Sequence, residues 1–381
     1  MYSSQQHDNL VNKFRKMPPM LTRPNLAAWV LPLIFMTNLA DRMTAWAQPM
    51  SFHVRETAGL RRFGYPVTAS LGVPEGELRS VDAVVMLDAA DRPVPAQFTT
   101  MSAWPDGSVK SLDVDFTSSI GPLESATYRV DLKPDAKPVP AAGLSVSETS
   151  DEIIVSSSSI RHRIRRDGKP LLSSVAFGND EFLAADGITT TQKPGAVEIL
   201  KSGPFNVTIG LGDVRLEYVS SKSWVKITQN AMPATDLAVD AHFVMAETPV
   251  VWDFGAGGWL YGSCGTREQT ALLRLNSDNW QVFTGKHDEQ TLFATGHTVD
   301  GWGHMADREH VIAFGVMDFN ADRTSNFSIT GEGRFRAAVQ RKDLTVYFHF
   351  VKNPVQVTAV TSPASMLAPL IVTIDGPSAG M

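Results

Sequence analysis

Between Trp252 and His310 the sequence gathers most of the residues suited to chemistry. Trp252, Trp259, Trp280 and Trp302 fall there, with His287, His297, His304 and His310 and with Asp300, Asp307 and Arg308 among them. Sugar rings present apolar C–H faces, so aromatic platforms edged by polar groups are what a saccharide site needs. The cores of β-sandwiches also use tryptophan, and spacing does not separate the two uses. The histidines make a poor zinc site. There is no HExxH and no cysteine pair, and the separations around His304 do not set two ligands side by side on one helix or strand. No cofactor is expected, although Asp300, Asp307 and neighbouring carbonyls offer calcium-type oxygen ligands. Asp253, Glu268, Asp288 and Glu289 are carboxylates for a glycosidase pair, but nothing in their spacing selects two of them. No Gly-x-Ser-x-Gly elbow is present, which argues against the commonest esterase plan. Gly255-Ala256-Gly257-Gly258 lets the backbone turn sharply before Trp259, without the helix and Lys-Ser/Thr of a phosphate loop.

A basic run, Arg161-His162-Arg163-Ile164-Arg165-Arg166, is the other chemical feature. On a strand Arg161, Arg163 and Arg165 share one face. Such a row can hold uronate carboxylates bidentately. The competing reading is a solvated edge strand guarded by charge. Cys264 is the one cysteine, so no internal disulfide exists and stability rests on core burial. Gly262-Ser263-Cys264-Gly265 lacks a thiol-enzyme signature and reads as a buried, inert thiol.

These groups must be placed by strands. Short β-prone runs follow one another from Ser51 to Asp135 and again from Leu144 to Ile374, with no convincing amphipathic helix. The best-defined unit is Pro93 to Phe116, a β-hairpin around Trp104-Pro105-Asp106-Gly107. Pro105 pre-sets φ for a type I turn, Asp106 suits the next position, and Gly107 takes the positive φ that follows. Asp106 is thus explained by turn geometry rather than by acid–base work. The hairpin is expected to brace a small barrel and to dock the part that follows. Pro134 to Ala142 (PDAKPVPAA) reads as a linker. The expected architecture is all-β, with a small barrel or sandwich over 48–135 and a large antiparallel β-sandwich over 143–381.

The chain has 381 residues, 43% of them hydrophobic and 19% charged, which suits a globular protein with a real core. Residues 1–47 read as a secretion signal. Lys13, Arg15, Lys16 and Arg23 precede the apolar run from Leu26 to Met36, and Ala45-Trp46-Ala47 makes a small-x-small cleavage site before Gln48. That run is short of the roughly 20 residues that span a bilayer. An uncleaved anchor is the competing reading, and Met17 or Met20 are alternative starts. The net charge is −6; residues 1–47 contribute +3, leaving −9 on the remainder. A mildly acidic, exported protein is expected to be periplasmic or extracellular. It is a poor binder of nucleic acid, and it makes no membrane contact after signal cleavage. A polysaccharide or oligosaccharide is the expected partner, and the sequence sets no oligomeric state.

Three stretches carry a family resemblance. Pro66 to Leu78 reads PVTASLGVPEGEL, Pro93 to Gln97 reads PVPAQ, and Trp104 to Lys110 reads WPDGSVK. In their order and spacing the first part resembles the N-terminal RIFT-barrel domain of the exo-rhamnogalacturonan lyase/YetA-like family. The second part resembles that family's central β-sandwich, through Val197-Glu198 followed by Gly203-Pro204, and through Gly301-Trp302-Gly303-His304 with Asp318-Phe319. Together they cover most of the chain beyond residue 47. Ser111 departs from the pattern, since the family usually has Trp there. The family's full-length lyases continue into a helical α/α toroid, which this chain is expected to lack. The resemblance implies a RIFT-type β-barrel followed by a large antiparallel β-sandwich. It also implies a lyase for acidic polysaccharide, or a non-catalytic glycan-binding or assembly protein on the same scaffold.

A uronate lyase has three needs. A cation or amide neutralises the C5 carboxylate, a base removes the C5 proton, and an acid protonates the departing O4. His304 or His297 as base, Tyr261 as acid and Arg308 as neutraliser fit those roles. Trp259, Trp302 and Trp252, with Arg163 and Arg165, are the expected substrate-binding residues.

Overall fold

The computed structural model describes residues 50–132, 139, 143–157, 159–256, 259–276, 278–321, 323–352 and 363–375, with the backbone alone at 83 and 259. The expected secretion signal lies outside the described residues, as do Gly257, Gly258 and nearly all of the expected linker.

The chain is all-β, as its alternating patterns predict. Apart from two 3-10 turns and a four-residue helix at Ala364–Leu367, the described residues form strands and their connections. One fourteen-stranded antiparallel sheet takes up most of residues 183–352. It is folded on itself by two long strands, Trp224–Phe243 and Arg334–Lys352, which pair along most of their length. Their register shifts between Asn230 and Thr235, where Pro233 has no N–H to give to the ladder. Before the shift this ribbon continues into Val214–Val219 and His310–Val316. Beyond it the neighbours are Leu183–Thr190 and Asn326–Thr330. The ribbon therefore passes from one layer of a β-sandwich into the other, as corner-forming strands do.

The two layers close on a phenylalanine-rich core. Phe254 and Phe314 of one layer meet Phe327 of the other at ring-centroid distances of 4.9 and 5.2 Å, and Phe314 meets Phe335 at 4.6 Å. Ile227, Val346 and Phe348 share this buried cluster with Leu237, Val239 and Leu273. Each such side chain contributes about 1.5–3 kcal/mol on burial. A five-stranded sheet over residues 145–181 covers one side, with His162 packed on Tyr218 at 4.7 Å.

A second core lies in the first part of the chain. It is enclosed by a three-stranded sheet, made of Arg62–Gly72, Val109–Ile120 and Gln97–Ala103, and a five-stranded sheet containing Met50–Arg55 and Ser125–Asp131. Phe52, Leu71, Phe116 and Val130 fill it. The last strand, Ile371–Ile374, pairs with Met50–Arg55, although the expected boundaries put it with the sandwich. That pairing covers an edge that Met50–Arg55 would otherwise expose. Trp224, Ala313, Met366 and Leu370 join the same core, so it rests against the outer face of the sandwich.

The expected hairpin is present. Gly107, at φ +81°, donates its N–H to the Trp104 carbonyl at 2.9 Å, and Asp106 Oδ1 accepts the Ser108 N–H at 2.9 Å. Gln97, at its start, docks it on the sandwich. Its Oε1 accepts the N–H groups of Phe205 and Asn206, each at 2.9 Å, and its Nε2 donates to the Asn206 carbonyl at 3.0 Å.

Candidate functional site

Strand Val250–Gly255 lies between Trp259–Cys264 and Trp302–Ala306. Register sets Tyr261 opposite Asp253, Asp253 opposite His304, and His304 opposite Ala313. Ala313 in turn faces His349, and His349 faces Trp224. Directly opposed residues send their side chains to the same face. Alternation sends Trp252, Phe254, Met305 and Phe348 to the other face, into the core. The outer face thus carries Tyr261, Asp253, His304, Ala313, His349 and Trp224 in one row across six strands spaced about 4.8 Å apart.

Asp253 organises this row. Its Oδ1 accepts the backbone N–H of His304 at 2.9 Å and Nδ1 of the same residue at 2.7 Å. An ionised carboxylate only accepts, so the proton of the neutral imidazole sits on Nδ1 and the lone pair on Nε2. That Nε2 is buried and has no hydrogen-bond partner among the described residues. Trp302 stands edge-to-face with the His304 ring, with centroids 5.9 Å apart. Its indole lies over Gly255, where an added Cβ would come within 2.2 Å of the ring. Any other residue at position 255 displaces that ring.

The row is open at one end and covered at the other. Asp253 and Tyr261 are 43% and 66% exposed, whereas the His304 side chain is 14% exposed. Further along, Leu367 sits on Gly315 and helps cover the row. The cover is anchored by Arg62, which donates to the Ser365 and Ala368 carbonyls at 3.2 and 2.6 Å and pairs with buried Glu56 at 3.1 Å. Beneath it burial pushes the His349 imidazole down to about 4, helped by the charges of Lys222 and His304. His349 is therefore a neutral neighbour of His304 at physiological pH.

The other expected site residues are placed differently. Trp252 is 2% exposed and stacked on Phe254 at 4.7 Å, so its ring belongs to the core and is not a sugar platform. Trp280 is buried too, its Nε1 donating to the Thr298 carbonyl at 2.7 Å. The Trp259 side chain lies outside what the structure describes; its backbone pairs with Gly255. His297 is exposed and lies 3.4 Å from the Asp278 carbonyl. Arg308 is exposed and ion-paired with Glu247 at 3.2 Å. Neither is in the row. Arg163 pairs with Glu152 at 2.9 Å, and Arg165 forks onto Asp167 at 3.0 and 2.8 Å. Their strand, Ile160–Arg165, is the middle one of five, so the edge-strand reading is corrected, and both guanidinium groups already hold carboxylates.

Asp307 is not a free ligand for calcium. Its carboxylate accepts the N–H groups of Glu309 and His310 at 2.8 and 2.7 Å, and that of Ala246 as well. Among the described residues no three His, Cys, Asp or Glu side chains converge as a metal site requires. Burial pushes the Cys264 thiol up to about 11, which leaves it protonated and unreactive.

Sequence reasoning singled out His304, Trp302 and Tyr261 but gave Asp253 no role with them, and passed over His349. Their strands are 51 and 45 residues from His304, and only the register brings them together. The one local sign is a polar residue at an outward position of a β-prone run, as in Trp252-Asp253-Phe254 and Phe348-His349-Phe350.

No family model and no curated protein matches this sequence. Among solved structures there is a likeness to a Flavobacterium johnsoniae GH31 dextranase complexed with isomaltotriose, at 13% identity and a TM-score of 0.19. It covers 56% of this chain and 27% of the dextranase, and at that score it carries no conclusion about this protein.

Proposed function

We propose that this chain is an exported, carbohydrate-active protein. It handles an acidic, uronate-containing polysaccharide on the face that bears Trp302, His304, Asp253 and Tyr261. The finer reading is lyase-type β-elimination, with membership of the exo-rhamnogalacturonan lyase/YetA-like family as the sequence stretches suggest. The observation that carries it is the Asp253 carboxylate fixing His304 with Nε2 free, beside an aromatic platform and across from an exposed tyrosine. In this reading His304 Nε2 takes the C5 proton of the uronate. The C–H electron pair becomes the C4=C5 double bond. The C4–O4 bond breaks, and Tyr261 gives its phenolic proton to the departing oxygen. Arg308 neutralises the uronate only by exchanging Glu247 for it.

A second reading, glycan binding without cleavage, is favoured by one observation. His304 Nε2 lies beneath the surface while Asp253 and Tyr261 are open. The test is to incubate residues 48–381 with rhamnogalacturonan and other uronate polymers and follow the ultraviolet absorbance of unsaturated uronate. A rise that His304→Ala abolishes supports the lyase. Binding of the polymers without any rise leaves the second reading. Neither binding nor cleavage of any of them overturns both.

A further inference from the structure

A pocket lies on the same outer face, beyond the covering segment, where the three-stranded sheet meets the sandwich. Its volume is about 180 Å³. Register builds one wall: Glu217 stands opposite Lys226 and Lys226 opposite Tyr347, one row along from His349 and Trp224. Tyr65 and Trp224 meet edge-to-face at 5.9 Å, as do Trp224 and Tyr347. The opposite wall is polar. Asp115 accepts from Thr68 Oγ1 at 2.6 Å, from Asn206 Nδ2 at 3.2 Å and from Lys201 at 3.0 Å.

Three features say what the pocket takes. The first is a pair of aromatic groups with polar ends, the Trp224 indole and the Tyr347 phenol, which both line the pocket. Neither the indole N–H nor the phenol hydroxyl is among the buried polar atoms left without a partner, so both stay open to solvent or to a ligand. The second is charge. Asp113 and Asp115 share one ammonium, that of Lys201, while Glu217 and Lys226 cancel at 2.9 Å. The surplus carboxylate disfavours an anion and favours a ligand rich in hydroxyl donors. The third is size and shape. The space is well below that of a drug-sized pocket and is walled by aromatic edges on one side and acceptors on the other.

We infer that this pocket is a binding site for a single neutral pyranose residue, held by the aromatic groups Tyr65, Trp224 and Tyr347 and hydrogen-bonded to Asp115, Glu217 and Lys226. It is separate from the open end of the His304 row on that face, and it extends the carbohydrate reading to a neutral sugar where that end is assigned a uronate.

The test is saturation-transfer NMR and titration calorimetry on residues 48–381 with D-glucose, D-galactose, L-rhamnose and D-galacturonate. At least one neutral sugar is expected to bind in the millimolar range and not to be displaced by galacturonate. Tyr347→Phe removes one hydroxyl and is expected to weaken that binding about tenfold, the loss of one hydrogen bond. Lys226→Gln, at a half-buried position in the pocket wall, is expected to weaken it similarly. Absence of binding by every neutral sugar overturns the site, whatever the lyase assay shows. Galacturonate that displaces the neutral sugars and is weakened equally by Tyr347→Phe overturns it too. Binding that survives both pocket variants but is lost in His304→Ala belongs to the His304 row and also overturns it.

Discussion

Asp253 holds His304 twice through one oxygen, accepting the backbone N–H at 2.9 Å and Nδ1 at 2.7 Å. The two residues lie on neighbouring strands and are directly opposed, so the ring is fixed in tautomer and orientation by a residue that the strand pairing itself supplies.

Asp253→Ala should therefore act through the histidine. In the lyase assay kcat is expected to fall about 10²–10⁴-fold, the usual worth of a positioned acid–base group, with KM nearly unchanged. A fall in KM affinity alone would assign Asp253 to binding instead. Far-ultraviolet circular dichroism and the urea midpoint check that the fold is kept.

Gly255→Ala tests the platform. The new Cβ would stand 2.2 Å from the Trp302 indole, so the ring must move off the face. The expected cost to stability is about 1–3 kcal/mol, the range of overpacking. Binding to the uronate polymers, followed by affinity electrophoresis, should fall at least as far as in Trp302→Ala.

The buried cluster of Lys201, Asp113 and Asp115 ties the first sheets to the sandwich. Lys201→Met strands two carboxylates in the interior and is expected to cost about 3–5 kcal/mol in urea unfolding near neutral pH. Burial opposes the Lys201 charge, but Asp115 and Asp113 overcome it and hold the ammonium above its ordinary range. A raised value means that the contribution is complete below the ordinary lysine range and is lost as pH rises through the folded-state value. The wild type should lose this increment on the alkaline side, and Lys201→Met should not show it.

Glu56 has the opposite sign. Burial works against its charge, yet the N–H groups of Leu123 and Ala58 and the Arg62 guanidinium hold the carboxyl down at about 2, from an ordinary 4.5. Its contribution is present above 4.5 and is lost as pH falls towards 2. Urea midpoints taken down this window should drop more steeply in the wild type than in Glu56→Gln. Since Glu56 braces Arg62, the variant should also expose residues 364–370 to faster amide exchange at neutral pH.

Much of the architecture was legible in local pattern. The alternation along Arg62–Gly72 and Ile160–Arg165 gives strands with one buried face, and the chemistry of Pro105, Asp106 and Gly107 gives their hairpin turn. The corner between Asn230 and Thr235 was not legible. A strand that changes layers keeps its period-two pattern on both sides of the bend. The return of Ile371–Ile374 to Met50–Arg55 was hidden for a related reason, since pairing over some 320 residues leaves no trace in either segment.

The sequence by itself determined the all-β class, the turn at Gly107 and the aromatic and histidine-rich character of residues 252–310, because each follows from residue type and short-range spacing. Only the tertiary structure decided which of those residues act together. It sent Trp252 and Trp280 into the core and gave Arg163 and Arg165 their own carboxylates. It also set Asp253 against His304. The reason is register: a side chain's face is fixed by its strand, but its neighbours on that face come from strands whose order no local pattern encodes.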